Sequence, residues 1–414
     1  MTNTPFPIQW VRESFPALNN GENFIFFDNG AGAQVPQVVL DAVRDHLVLR
    51  NVQRGGRYRK SQEVDATIQK ARESVAMFLN ARESSEVAFG MNATSFIRIV
   101  SLAMAEILGK RKEIIVTDLD HEANIATWLA LQSRGVEIRW WKMRDDGTLS
   151  VNDLEPLLNS RTRLVACAVA SNALGSIVDV KQVAERAHAA GAEVFLDTVH
   201  YAPHCPIDVQ DWDCDYLVCS GYKIFAPHMG FLWGKRELLE RLPTFREDFI
   251  PDQIPTKIEV GTFVYENVAG MDAAVGYLEA LGKQVKPEVR SRREHVVAAM
   301  DAIRAHETQL SAEILRCLSE LNGVTVYGIQ NHDQLRNRVP TICFNVDSKS
   351  PSFIASHCSD NGIGVRDGNM YSPRLLRRMN IPADSGAVRA SLVHYNTQDE
   401  IHGFADVLRA IIDA

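Results

Sequence analysis

The chain reads as an α/β protein built on a largely parallel sheet, with a smaller α+β unit after it. Two observations predict this. Up to about Gly282, short apolar runs alternate with amphipathic stretches, the pattern of strands and helices stacked in layers. Beyond that point one long amphipathic stretch leads into strand-like runs and a last helix. At about 150 residues per domain, a length of 414 suits two or three domains. The expected division is a large domain at 20–284 and a small domain at 285–414, joined by the N-terminal arm 1–19. No internal repeat and no linker rich in Gly or Ser is present.

Taken in order, residues 114–116, 164–169, 194–196 and 216–219 are apolar runs that read as buried strands. Between them, 122–133 and 180–190 carry helical patterns. Residues 293–321 form one amphipathic stretch. Val296, Met300, Ile303, Leu310, Ile314, Leu318 and Leu321 share a face, and Glu307 interrupts it. Asn322-Gly323 supplies the stop. Strands are expected at 324–327, 341–346 and 388–392. A final helix is expected from Thr397, where Glu400 completes a capping box.

Composition narrows the function classes. Apolar residues make up 46% and charged residues 23%, globular values that exclude disordered and low-complexity classes. A net charge of −8 and the lack of a long Lys/Arg run argue against nucleic acid as a partner. No stretch of about 18 apolar residues occurs, so no membrane span is expected. Residues 1–13 lack the basic start and apolar run of a signal peptide. The seven cysteines (Cys167, Cys205, Cys214, Cys219, Cys317, Cys343 and Cys358) form no CxxC pair. Their odd number and irregular spacing suit a reduced, cytoplasmic protein.

The chemistry concentrates between Asp197 and Lys223. One expected strand ends at Asp197, and the next runs into Ser220-Gly221-Tyr222-Lys223. Ligands of open α/β sheets bind beyond the carboxyl ends of strands, so this Asp and Lys could face one cavity. A lysine held there with a lowered pKa can form a Schiff base, and a carboxylate can keep a pyridine nitrogen protonated. An ordinary Asp–Lys ion pair is the plainer alternative. Asn92-Ala93-Thr94-Ser95 precedes an amphipathic run at 97–108 and suits either a phosphate at a helix N-terminus or simple capping. His121 in Asp-His-Glu-Ala-Asn could lie flat on a cofactor ring or be a hydrogen-bonded core histidine. Asn172 could donate to a phenolic oxygen or make a turn. Asp197, His200 and His204 do not have the helical ligand geometry of a metal site, since Pro203 intervenes, and no metal is expected. Gly30-Ala31-Gly32 and Gly362-Ile363-Gly364 both lack the third glycine of a dinucleotide fingerprint.

Read together and in order, these segments resemble the class V aminotransferase family of pyridoxal-phosphate enzymes, in its cysteine-desulfurase-like branch. The resemblance runs from Phe27-Asp28-Asn29-Gly30-Ala31 and Asn51-Val52-Gln53-Arg54-Gly55, through Asp120-His121-Glu122-Ala123-Asn124 and Ser171-Asn172-Ala173-Leu174-Gly175. It continues through Asp197-Thr198-Val199-His200, Ser220-Gly221-Tyr222-Lys223 and Glu259-Val260-Gly261-Thr262 to Val388-Arg389-Ala390-Ser391-Leu392. It implies the aspartate-aminotransferase-type fold (fold type I), with a mixed-sheet large domain and a smaller α+β domain. It also implies pyridoxal 5'-phosphate as cofactor. Lys223 would carry the cofactor and move a proton at the substrate Cα, Asp197 would pair with the ring nitrogen, and His121 would stack on the ring. Ala93, Thr94 and Ser220 would hold the phosphate, and Thr262 would reach the phosphate of the neighbouring subunit in a homodimer. Asn172 would orient substrate or ring oxygen, and Arg389 would grip the substrate α-carboxylate, with Arg366 and Arg54 as further guanidinium candidates.

Departures from the family pattern bear on the reaction. Relatives often carry Gln where this chain has His200 and His where it has Tyr222; both could still contact the cofactor. In the segment Val365-Arg366-Asp367-Gly368-Asn369-Met370-Tyr371, Tyr371 stands where desulfurases carry their persulfide-forming cysteine. The expected function is therefore a lyase that cleaves a C–S or other side-chain bond of an amino acid, with Tyr371 or His228 as proton donor. An aminotransferase or epimerase is the alternative. A true cysteine desulfurase or a decarboxylating aldolase ranks behind both.

Overall fold

The computed structural model describes residues 5–382 and 384–413. Its centre is a seven-stranded sheet. The strands are β1 (Val87–Gly90), β2 (Glu113–Thr117), β3 (Glu137–Trp141), β4 (Thr162–Ala168), β5 (Glu193–Asp197), β6 (Tyr216–Ser220) and β7 (Gly230–Gly234). They lie in the order β1-β7-β6-β5-β4-β2-β3. All neighbours are parallel except β7, which runs antiparallel to both β1 and β6. The mixed sheet expected of the family is therefore present.

The continuous apolar runs have a direct cause. Ile115, Val165, Val194, Leu196 and Leu217 join one core layer, and their chain neighbours Ile114, Leu164, Phe195, Tyr216 and Val218 join another. Both faces of each strand are thus covered, and no polar alternation survives. The expected strands fall inside β2, β4, β5 and β6, apart from Val169, which lies just beyond the end of β4. β1, β3 and β7 were not expected.

After the sheet, helix Tyr265–Val285 packs against helix Arg292–Ser319. Ser291 and Glu294 cap the second helix reciprocally. Glu307, the break in its apolar face, is buried and pairs with His204 at 2.8 Å. Leu321 lies beyond the helix end. A four-stranded antiparallel sheet follows, made of β8 (Val324–Tyr327), β9 (Thr341–Val346), β10 (Arg366–Gly368) and β11 (Ala387–Ser391) in the order β10-β11-β9-β8. Helix Gln398–Asp413 closes the chain, with the Thr397 and Glu400 capping contacts in place. The short strand Ile25–Phe26 pairs in parallel with Ile363–Gly364, and Asp28 bridges to Ser391, so the N-terminal segment is woven into the C-terminal layer.

One helix differs from expectation. The stretch 122–133 is an α-helix only at Ala123–Leu129 and continues as a 3₁₀ turn, Ala130–Arg134, that ends at Gly135 with φ of 83°. No helix among the described residues is long and apolar enough to cross a membrane.

Candidate active site

A cavity opens beyond the carboxyl ends of β4, β5 and β6, where the topology of an open α/β sheet places ligands. Ala93, Thr94, His121, Asn172, Asp197, His200, Ser220, Tyr222 and Lys223 all line it. β5 delivers Asp197 as its last residue, and β6 delivers Ser220 before a 3₁₀ turn at Gly221–Lys223. Helix Ala93–Ala105 points its N-terminus at the same cavity, capped by Asn92 Oδ1 accepting from the Ser95 N–H. The Ala93 N–H donates to Ser220 Oγ at 3.0 Å, so these two expected phosphate ligands contact each other.

Burial sets the ionisation of the cavity. The Lys223 ammonium is driven down to about 8 by desolvation and then by the Arg389 charge, with Asp197 opposing. Desolvation raises the Asp197 carboxyl, although the Val199 N–H and Lys223 favour its ionised form. His121 falls to about 4 for the same primary reason, reinforced by Lys223 and Arg389, and is neutral at pH 7. Its Nδ1 accepts from the Ala123 N–H at 3.1 Å, which leaves the proton on Nε2. His200 is buried and neutral, with Nε2 on Thr341 Oγ1 at 2.8 Å and Nδ1 without a partner. Lys223 Nζ lies 5.8 Å from the Tyr222 ring centroid, and the His228 ring stacks on Tyr222 at 5.1 Å.

Arg389, on β11, is fully buried beside this cavity. It donates to the Asn172 carbonyl at 2.9 Å and to Asp28 Oδ1 at 2.8 Å, while its Nε has no partner. Arg366 grips the other Asp28 oxygen through Nε and a terminal nitrogen, at 2.9 and 2.6 Å. One carboxylate thus holds two guanidinium groups. Gly30 allows this packing, because a Cβ there would meet Arg389 Cζ at 3.0 Å. Asp28 was not singled out as a site residue, and Thr341 was likewise missed. No local signal marks either, since their partners lie 361 and 141 positions away along the chain.

The Asn172 side chain faces the loop that carries Tyr371. Its amide donates to the Met370 carbonyl at 2.7 Å and its oxygen accepts from Ser372 Oγ at 3.0 Å. The Tyr371 carbonyl accepts from the Glu122 N–H at 2.8 Å, and Arg374 pairs with the Glu122 carboxylate. Met370 and Tyr371 adopt φ of 48° and 60°, a costly region for side-chain-bearing residues. The Tyr371 ring is half exposed and sits 5.6 Å from the His121 ring.

Two expected residues lie elsewhere on this chain. Thr262 is exposed and accepts from the Gln53 amide at 2.6 Å. Arg54 faces Glu259 at 3.5 Å and Asp65 at 3.8 Å. Neither lines the cavity.

The chain belongs to the aminotransferase class-V family, whose pattern it matches over residues 25–404. It is 33% identical to an aminotransferase-like protein of Gibberella zeae over the full length of both chains. It is 32% identical to a probable cysteine desulfurase of Synechocystis over 97% of this chain and 95% of that one. Among solved structures, a cysteine desulfurase of Thermococcus onnurineus superposes with a TM-score of 0.88 at 25% identity and full coverage of both chains. The desulfurase CsdA of Escherichia coli gives 0.85 at 25% identity, with 99% of each chain covered.

The protein is thus a pyridoxal-phosphate-dependent enzyme of fold type I. The cavity fits the cofactor on its own chemistry. It combines a buried amine of lowered pKa, a buried carboxylate, a neutral imidazole, a helix N-terminus, and an unpartnered buried nitrogen on His200.

Proposed function

We propose that the enzyme acts on an amino acid and cleaves a side-chain bond, C–S or similar, without a loop thiol. The observation that carries this reading is the state of the cysteines. All seven are buried, burial raises every thiol above its ordinary value, and none lines the cavity. Transfer of sulfur to the protein needs a thiolate within reach of the substrate, and the loop offers Tyr371 instead.

The residues would share the work as follows. Helix Ala93–Ala105, through the backbone at Ala93 and the Thr94 hydroxyl, and Ser220 would hold the phosphate. Asp197 would face the ring nitrogen, His121 the ring face, and His200 Nδ1 the ring oxygen. When bound, pyridoxal phosphate supplies an electron sink for the charge left at the substrate Cα. Arg389 would bind the α-carboxylate with its remaining N–H groups, held in register by Asp28 and the Asn172 carbonyl. Lys223, whose charged form burial disfavours, would take the Cα proton. Tyr371, beside His121 at the mouth, would give a proton to the group leaving Cβ. Thr262, exposed on this chain, would serve the partner's site in a homodimer.

The test is turnover of amino acids and thioether conjugates in deuterated water, read by mass spectrometry, with Lys223→Ala as control. An oxo acid with a released thiol or other leaving group is the expected product. Deuterium at Cα without fragmentation would assign the enzyme to epimerisation or transamination. Alanine from cysteine, with the sulfur left as a persulfide on a protein thiol, would overturn the role given to Tyr371.

A further inference from the structure

A second cavity adjoins the first across Tyr222, whose ring lines both. Its walls include Phe24, Phe26, Val35, Tyr222 and Val365, with the Asp28–Arg366 pair at the side nearest Arg389. The Asp28 carboxylate and the Asn29 amide in this wall are committed to other groups, while the Tyr222 hydroxyl and the His228 ring stay open to a ligand. Asp28 is taken by the two arginines, and the Asn29 amide donates to the carbonyls of Phe26 and Ser391. What remains is an aromatic cradle: Phe24 and Phe26 meet edge-on at 5.1 Å, and Tyr222 stacks with His228. Such surfaces favour apolar, above all aromatic, groups.

We propose that this cavity is the side-chain subsite of the enzyme and that the substrate is an amino acid with an aromatic or similarly large apolar side chain. The inference rests on the reading of Arg389 as the α-carboxylate anchor and specifies which amino acids that site takes. A substrate carboxylate on Arg389 lies one ion pair away from the cavity, through Asp28 and Arg366. A side chain as small as that of alanine would leave the cradle empty and forgo its burial.

The holoenzyme is titrated with L-phenylalanine and with L-alanine, following the cofactor's absorbance. Phenylalanine is expected to bind about tenfold more tightly or better, as burial of a ring against Phe24, Phe26 and Tyr222 dictates. Gly32→Leu tests the location, since a Cβ at Gly32 lies 3.6 Å from Tyr222 Cδ2, an ordinary contact, and a longer side chain enters the cavity. It should bring the ratio of the two affinities towards one. Phe24→Ala, at a half-buried site, should do the same by removing a wall. Hydrogen exchange at 24–35 supplies a readout independent of turnover: phenylalanine protects the segment and alanine does not. Equal affinities in the wild type, or a ratio untouched by both variants, would overturn the proposal. So would protection of 24–35 that neither ligand changes, which would mean that a second copy of the chain covers the cavity. If alanine binds and phenylalanine binds no better, only the subsite fails. If neither amino acid perturbs the cofactor, the reading as an amino-acid enzyme fails with it.

Discussion

Lys223 carries a charge that the fold disfavours. Its folded value of about 8 lies below the ~10.4 of an exposed lysine, so between those values the unfolded chain binds more protons than the folded one. The cofactor-free protein therefore bears the full penalty below pH 8 and sheds it as pH rises towards 10.4. Lys223→Met should stabilise that form at pH 7 and do so much less at pH 10.5, as read by urea midpoints; an equal effect at both values would disprove the shift. Arg389 is a second single-residue case. Arg389→Lys loses the fork that reaches Asp28 and the Asn172 carbonyl together, and KM for the amino acid should rise about tenfold or more with a smaller change in kcat. At the loop, Tyr371→Cys restores a nucleophile beside His121. Conversion of L-cysteine to L-alanine is the expected gain over the parent, with the cysteine sulfur left as a persulfide on the new thiol.

At the level of elements, the long helix Arg292–Ser319 shows what the sequence pattern could and could not reveal. Its start is local chemistry: Ser291 and Glu294 are three residues apart, and Ser291→Ala should cost roughly 1 kcal/mol in thermal denaturation. Its polar interruption is not local. Glu307 is tolerated because His204, from the turn after β5, meets it in the core. Glu307→Ala strands a buried imidazole and should cost roughly 3 kcal/mol, whereas the double change His204→Leu, Glu307→Leu should recover much of it. The strands were legible where both faces are apolar, as in β5 and β6. β7 was missed because its glycines at each end and single central run look like a turn region in isolation. β10 was missed because three residues, Arg366–Gly368, carry no period at all.

The whole molecule leaves an apolar face uncovered. Val38, Leu40, Leu47, Val48 and Leu49 on helix Gln37–Arg50 are all about half or more exposed. The proposed homodimer would cover this face together with exposed Thr262. Val48→Glu with Leu49→Glu should shift the protein towards monomer in sedimentation and weaken cofactor retention. A mixture of Lys223→Ala with Thr262→Ala chains should regain activity only if the threonine serves the neighbouring site.

By itself the sequence determined the α/β class, the family and the cofactor chemistry. The class rests on local matters, short apolar runs that suit buried strands, whereas the family and the cofactor rest on the resemblance carried by the motifs in their order along the chain. It also marked Lys223, Asp197, His121 and His200, because strand ends and their turns place these side chains wherever the sheet forms. The tertiary structure alone decided how the site is tuned. Asp28 reaches Arg389 across 361 positions, Thr341 reaches His200 across 141, and the aromatic cavity is assembled from the N-terminal strand, the turn after β6 and the segment before β10. The physical reason is range. Propensity and period act over a few residues, whereas charge pairing and desolvation act between any groups that folding brings together.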